Sequence, residues 1–246
     1  MWVESCEDVL SQRARRLVAL NERLASTVVR SESGVADLLG ELVYFTLRNR
    51  SARLNADAAF RALRQRFPTW HQLAEAPRSE IEEAIHPAGL VHQRAELIQK
   101  LVASVESDFP SGSCEVIRTW ADPAVLSYLI SLPGIGQFAA DQAMLYILGR
   151  PVLPVSSPLT RLLTRLGIVD QTVTTEAVAS RTASVLAPGE HPALYGNLLE
   201  HARSVCTRRT PRCHRCKLND MCAYNQRVRQ RRGLAVLESV AKLTNA

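Results

Sequence analysis

Four cysteines lie within seventeen residues in the carboxyl-terminal part of a chain of 246 residues. They follow the spacing C-x6-C-x2-C-x5-C and are Cys206, Cys213, Cys216 and Cys222. Thiolates at this density bind either Zn²⁺ or an iron–sulfur cluster. Zinc sites are usually built from two short cysteine pairs. Here only the central pair is short, and the outer cysteines stand on longer arms, which suits the separated corners of a cubane cluster.

Two histidines, His201 and His214, accompany this motif. Because four cysteines already complete the ligation of a cluster, we interpret both histidines as ordinary polar residues. The other two cysteines, Cys6 and Cys114, are far from the motif and are interpreted as isolated thiols. Disulfide bonds are not expected, because the chain has the features of a cytoplasmic protein.

A second candidate for chemistry is the pentapeptide L-P-G-I-G at positions 132–136. Pro133 and Gly134 end one helix, and Gly136 begins the next. Glycine tolerates the positive φ of a sharp turn, and the amides that open a helix favour an anion. The segment predicts a site for one backbone phosphate of a nucleic acid, held without reading a base. An ordinary connection between two helices is the alternative.

The hairpin and the cysteines together favour a [4Fe–4S] cluster, with zinc as the alternative.

The distribution of charge, like the hairpin, indicates a nucleic-acid ligand. The net charge is +6, but residues 203–232 hold ten Lys or Arg and one acid. This segment carries a charge of +9 and the rest of the chain −3. One concentrated basic face is typical of a protein that binds a polyanion, and a solvated charge run is the alternative.

The composition is that of a globular protein, with 46% hydrophobic and 22% charged residues. No apolar run approaches the roughly 20 residues that span a bilayer. The first eight residues contain three acids and no basic segment, so no secretory signal is expected. We therefore predict a cytoplasmic protein, associated with the nucleoid and without membrane contact.

Apolar residues recur at helical spacing nearly throughout, and alternating β-branched runs are absent, so the predicted fold class is all-α. No linker rich in Gly, Ser or Pro divides the chain, so a second domain must be interleaved with the first. The tail at 225–246 ends in a predicted amphipathic helix at 234–243 that packs against the body of the protein. The other predicted helices cover residues 9–28, 37–47, 55–67, 70–76, 79–85, 93–106, 123–131, 158–166, 175–186 and 192–205.

A helix–hairpin–helix followed about 70 residues later by this cysteine spacing resembles the endonuclease III family of DNA glycosylases. The resemblance covers residues 35–226. It includes the turn at Gly89-Leu90 with Arg94-Ala-Glu96 after it, and the G-x-P at 149–151. It also includes the approach His201-Ala-Arg-Ser-Val to the first cysteine.

The resemblance implies two interleaved helical domains with a DNA cleft between them. Residues 41–155 would form a six-helix domain that carries the hairpin. Residues 1–40 and 156–246 would form the iron–sulfur cluster domain with its basic tail. The implied partner is double-stranded DNA, damaged or abasic, bound by a monomer. The residues expected to contact DNA are Gly134, Ile135, Gly136, Arg48, Arg50, Arg208, Arg209, Arg212, Arg215 and Lys217.

Three positions that are reactive in the family carry other residues here. Family members place a catalytic Asp at the start of the helix after the hairpin unit, where this chain has Ser156. A hydroxyl can cap that helix but supplies no negative charge. The lysine that forms a Schiff base is replaced by Phe138, and the acid before the hairpin by Ile130. The resemblance therefore implies DNA binding with glycosylase and lyase chemistry weak or lost.

Asp141 is the candidate for a substitute acid, because it lies one helical turn beyond Phe138, although exposure to solvent is the common fate of such a residue. Asp37, Glu41 and Asp57 belong to helices that line the cleft in the family.

The segment 45–51 replaces the loop that fills the space of a flipped base. Arg48 aligns with the filling residue, but contact with phosphates, together with Arg50 and Arg53, is the preferred interpretation.

The sequence thus predicts an endonuclease III-like DNA-binding protein of base excision repair. Two alternatives remain open. One is an active monofunctional glycosylase that uses a relocated carboxylate or a water held by Ser156. The other is a redox sensor on DNA that acts through its cluster.

Overall fold

The protein is described by a computed structural model over residues 6–24, 37–110, 114–182, 184–187, 189–228 and 230. Within these ranges the chain is helical and contains no β-strand, which confirms the all-α prediction. In the same part of the chain, no helix combines the length and the apolar character needed to cross a membrane. The predicted helix at 234–243 lies outside the described residues.

The α-helices with the following bounds are numbered α1 to α11 in chain order. Their bounds are α1 Cys6–Leu24, α2 Leu38–Arg48, α3 Arg53–Arg66, α4 Trp70–Glu75, α5 Arg78–Ala84, α6 Val91–Asp108, α7 Asp122–Ser131, α8 Gln137–Tyr146, α9 Ser157–Leu166, α10 Thr175–Thr182 and α11 His191–Ser204. Short 3₁₀ turns lie at His86–Ala88, Cys114–Thr119 and Cys213–Arg215. The sequence patterns predicted none of these three turns.

The chain divides into two compact units. The hairpin unit is Ser31–Arg150, and the cluster unit combines Met1–Arg30 with Pro151–Ala246. The hairpin unit includes all of α2, which the predicted domain bound at residue 41 would divide. The predicted division at 41 and 155 stays a prediction.

Helix α2 is the central element of the hairpin unit. All but two of its eleven residues are buried, and it packs against α3, α6 and α8. Asp37 caps its N-terminus, because one carboxylate oxygen accepts a hydrogen bond from the Gly40 amide at 2.7 Å. A buried central helix of this kind gives the surrounding loops a rigid support.

In the cluster unit, α1 packs against α10 and α11, and α9 packs against α11. Helix α9 is strongly amphipathic: Leu159, Leu162, Leu163 and Leu166 recur at helical spacing and are buried. This stripe fixes the rotation of the helix. It thereby sets the direction of the arginines on its other faces.

Candidate nucleic-acid interface and cluster site

The hairpin joins α7 to α8 through a buried residue between two glycines. Gly134 has a φ of 76°, and a Cβ there would lie 2.5 Å from the side chain of Leu97. Only glycine satisfies both conditions. Gly136 has a φ of −92°, so the expectation that both glycines serve a positive φ is wrong for this residue. Between them, Ile135 is 5% exposed and anchors the turn in the core.

The N-terminus of α8 is open to a ligand. Gly136 is its N-cap residue, is exposed, and has no atom within 4 Å of the place where a Cβ would stand. No side chain caps this helix, and its first turn contains no acid. The first amides of a helix have no intrahelical acceptor and carry the positive end of the helix dipole. The bare end of α8 is therefore suited to an anion that approaches the main chain closely.

Ile130 and Phe138, at which the resemblance implies substitutions, lie on the two helices of the hairpin. Ile130 is 41% exposed near the end of α7, and Phe138 is 44% exposed in the first turn of α8. Neither side chain has a nucleophile or a titratable group. An exposed aromatic ring in this place offers a surface for stacking.

Asp141 is buried and only 8% exposed, so the expectation of solvent exposure is wrong. One carboxylate oxygen accepts a hydrogen bond from Nε2 of Gln137 at 2.7 Å. Burial raises the pKa of Asp141, and the hydrogen bond from Gln137 opposes that rise.

The other acids proposed for the cleft have different surroundings. Glu41 is 1% exposed in α2. Asp57 accepts a hydrogen bond from the hydroxyl of Tyr44 at 2.8 Å. Asp37 serves as the cap of α2, as described above.

Two loops of the hairpin unit are tied together by Arg94, which is 4% exposed. Its guanidinium donates hydrogen bonds to the carbonyl oxygens of Ala88, Gly89 and Asn49. This cation therefore connects the turn at 86–90 with the loop at 48–52. The sequence analysis assigned no role to Arg94. Its position four residues after the turn at Gly89-Leu90 is the signal that could have identified it.

The tips of these loops hold strained backbone. Leu90 has a φ of 52° and its side chain is 54% exposed, whereas Arg50 has a φ of 57°. Non-glycine residues rarely adopt this region, and such strain is common where a loop serves function. The guanidinium of Arg48 donates to the carbonyl of Ser51 and so supports its own loop. Nε of Arg53 lies 3.8 Å from Oδ2 of Asp57.

In the cluster unit, the hydroxyl of Ser156 does not cap α9. Ser156 is the N-cap residue, but its side chain makes no capping hydrogen bond. Its Oγ is buried and, among the described residues, has no hydrogen-bond partner. Pro158 removes one of the two amides to which such a hydroxyl bonds. A hydroxyl at this position can cap a helix, but in this structure the Ser156 hydroxyl does not.

Ser156 lies in a groove along α9. Ser157, Thr160, Arg161 and Thr164 share its wall. In the described part of this unit, no carboxylate lines the groove. The position at which the resemblance implies an acid is thus in a polar groove with a buried hydroxyl and a cationic side chain.

The four cysteines face one cavity in the cluster unit. Its other lining residues include Leu162, Val205, His201 and Arg165. Among the described residues, no group of three or more His, Cys, Asp or Glu side chains is arranged to hold a single metal ion. Four thiols around a common cavity form a donor set that fits a [4Fe–4S] cluster.

Two arginines of α9 hold the start of the cysteine loop. Arg161 donates to the carbonyl oxygens of Ala202 and Cys206, at 2.7 and 3.2 Å. Arg165 donates to the carbonyls of Thr207 and Arg208, at 2.7 and 2.9 Å, and lies 3.4 Å from Sγ of Cys206. The helix that begins at Ser156 therefore also positions the first cysteine.

The basic side chains of the cysteine loop are exposed. They are Arg208, Arg209, Arg212, Arg215 and Lys217. His214 is exposed as well. His201 is 7% exposed, and its Nε2 lies 3.3 Å from Sγ of Cys216, a contact that the sequence did not predict.

The family model of HhH-GPD superfamily base excision DNA repair proteins matches residues 49–188, more than half of the chain. The chain belongs to this superfamily. The model of the iron–sulfur binding domain of endonuclease III matches residues 206–222, from the first to the last clustered cysteine. The resemblance to the endonuclease III family and the prediction of a [4Fe–4S] cofactor are thus confirmed.

Several members of the HhH-GPD superfamily are similar to this chain. Thymine-DNA glycosylase of Aeropyrum pernix is 30% identical over 73% of this chain and 79% of the relative. Thymine/uracil-DNA glycosylase of Pyrobaculum aerophilum is 31% identical over 68% of this chain and 72% of the relative. Among solved structures, a non-covalent endonuclease III–DNA complex aligns with a TM-score of 0.72 at 20% identity, covering 88% of this chain and 98% of that protein.

Proposed function

We propose that this superfamily member binds duplex DNA at damaged, abasic or distorted sites, and that its base-excision chemistry is weak or absent. The observation that carries the proposal is the first turn of α8. There an open, uncapped helix N-terminus is retained, whereas Phe138 stands where the family has its nucleophilic lysine. An anion site without a nucleophile favours binding over cutting.

The proposed contact at the hairpin is with one phosphate of the DNA backbone. The amides that follow Gly136 donate to the phosphate oxygens, and the exposed glycine lets the backbone approach without a side chain between them. The ring of Phe138 projects from the same turn and stacks on an unpaired base. The substituted position thus changes from covalent chemistry to recognition.

The loops that Arg94 connects probe the duplex in this proposal. Leu90 presents an exposed apolar side chain on a backbone of positive φ, which suits insertion between base pairs at a flexible step. Arg48 and Arg50 contact phosphates beside it. A base pair that is already weakened costs less to open, which gives preference for damaged sites.

The cysteine loop contributes backbone contacts and the cluster. Cys206, Cys213, Cys216 and Cys222 hold the cluster through their thiolates, and the exposed basic residues between them contact DNA phosphates. When bound, a cluster of this type supplies a structural cross-link and a one-electron redox centre. The two-domain division predicted from the sequence is part of this proposal.

The test is a binding titration by fluorescence anisotropy, with intact duplex and with duplex that contains a tetrahydrofuran abasic analogue. We expect tighter binding to the analogue. Arg212→Gln lowers the slope of log affinity against log salt by about 0.9, because one phosphate contact is lost. Lys100→Gln removes the same charge from an exposed residue of α6 and leaves the slope unchanged. Equal slopes for both variants would contradict the proposed loop contacts.

A second candidate is a monofunctional glycosylase that uses Asp141. The observation in its favour is the burial of this carboxyl group, which raises its pKa towards the range of a general acid. In this case uracil or thymine is released from a mismatched duplex, strand breaks appear after alkali, and Asp141→Asn abolishes them. Asp122→Asn, at the exposed start of α7, is the matched control and retains activity.

A further inference from the structure

His201 contacts the proposed cluster ligands through both its main chain and its side chain. It lies in the last turn of α11 and is 7% exposed. Its carbonyl oxygen accepts a hydrogen bond from the amide of Cys206 at 2.8 Å. Its Nε2 lies 3.3 Å from Sγ of Cys216. The same residue therefore fixes the first and the third cysteine of the motif.

Cys216 is also approached by the amide of Leu218, at 3.4 Å from its sulfur. Two nitrogen donors thus converge on this sulfur. On Cys206, the sulfur accepts a hydrogen bond from the guanidinium of Arg165, at 3.4 Å. A ligand thiolate is an acceptor, and N–H donors aimed at it stabilise the more negative, reduced state of a cluster.

We propose that His201 donates its Nε2–H to the Cys216 thiolate and thereby raises the reduction potential of the cluster. The inference rests on the proposed ligation by the four cysteines and adds a tuning role to one residue outside them. His201 is a positioning residue, since it acts through Cys216 and does not touch the metal. The imidazole is buried against the sulfur, so a water molecule does not replace the donor readily.

The chain provides a matched control. His214 lies between two of the proposed ligands, in the 3₁₀ turn Cys213–Arg215, but its side chain is exposed. His214→Leu changes the composition of the loop without removing a described contact to sulfur. His201→Leu removes the donor from a buried site, and His201→Gln restores an N–H at about the same distance along the side chain.

The experiment uses the full chain purified without oxygen. Iron content and visible absorbance are measured first in the wild type, because a wild type without iron would refute the proposed ligation rather than this inference. The midpoint potential is then measured by redox titration for the loaded proteins. We expect His201→Leu to raise the ratio of oxidised to reduced cluster at a given solution potential by up to tenfold. For a one-electron couple, this corresponds to a midpoint potential that is lower by about 59 mV.

His214→Leu and His201→Gln are expected to keep potentials close to that of the wild type. If His201→Leu fails to load iron, the test rests on His201→Gln. A His201→Gln protein that binds iron and has the wild-type midpoint potential supports the donor role of His201. The inference is overturned if His201→Leu loads fully and keeps the wild-type potential. It is also overturned if His201→Gln fails to load, or shifts as far as His201→Leu.

Discussion

Replacement of Gly136 by aspartate is expected to stabilise the protein and weaken its binding to DNA. Gly136 has φ −92° and ψ 172°, the extended conformation that an N-cap residue adopts, and α8 has no side-chain cap. An aspartate there caps the helix and places a charge at the positive end of its dipole. The expected gain is about 0.5–1 kcal/mol, or roughly 1–4 °C in the thermal midpoint.

The same carboxylate occupies the amides proposed to hold a phosphate, and it repels the phosphate as well. Loss of hydrogen bonds to a charged group costs about 1.5–3 kcal/mol, which corresponds to a roughly 10- to 150-fold weaker affinity. Anisotropy titration with abasic-analogue duplex at fixed salt measures the affinity. Thermal unfolding monitored by circular dichroism measures the stability of the same preparation.

Two control variants separate the effect of occupying the helix amides from the effect of the added charge on DNA affinity. Gly136→Asn caps the helix without a charge, so its affinity should fall between those of the wild type and Gly136→Asp. Ala121→Asp adds the same charge at the exposed N-cap of α7, about 15 Å away along that ten-residue helix, and should leave affinity nearly unchanged. If Gly136→Asp raises the thermal midpoint but binds DNA as tightly as the wild type, the hairpin does not hold a phosphate.

Three further predictions concern buried groups and the groove at α9. Arg94→Met leaves three carbonyl acceptors without their donor and should destabilise the hairpin unit by about 3 kcal/mol in urea unfolding, whereas Arg61→Met at an exposed site should change little. Ser156→Asp restores a carboxylate to the groove and should raise single-turnover base release by roughly 100-fold or more; the same gain from Ser157→Asp would show that the position is not specific. Burial raises the pKa of Asp141 above its ordinary value of 3.8, so the folded state binds more protons than the unfolded state. The stability of the wild type therefore falls as the pH rises from 3.8 through the pKa of Asp141 in the folded state. Asp141→Asn should remove this loss, with an advantage that is larger at pH 7 than at pH 4; an advantage independent of pH would contradict the assignment.

The elements that the sequence predicted best are those with a strong local cause. Apolar periodicity gave the helices, and Pro133 with Gly134 marked the end of α7. The positive φ of Gly134 has a second cause, the close approach of Leu97, which is separated by 37 positions and cannot be read from the pentapeptide. The cysteine spacing identified a metal centre, because ligand spacing is itself a local property, and the hairpin favoured a [4Fe–4S] cluster over zinc.

The features that escaped prediction depend on contacts between distant segments. Arg94 resembles a surface cation in the sequence, but its acceptors include Asn49, 45 positions away. His201 becomes significant only when the chain returns to place Cys216 against it. The burial of Asp141 likewise depends on the helices around α8 rather than on its own spacing.

We propose that the protein binds damaged DNA but does not excise a base efficiently. A single-turnover assay tests this most directly, with enzyme in excess over duplexes that carry uracil, thymine mismatches or oxidised pyrimidines, followed by alkali and strand separation. We expect the strands to remain intact at protein concentrations that saturate binding in the anisotropy titration. Alkali-sensitive cleavage of any of these duplexes at a rate well above that of the protein-free control would contradict it.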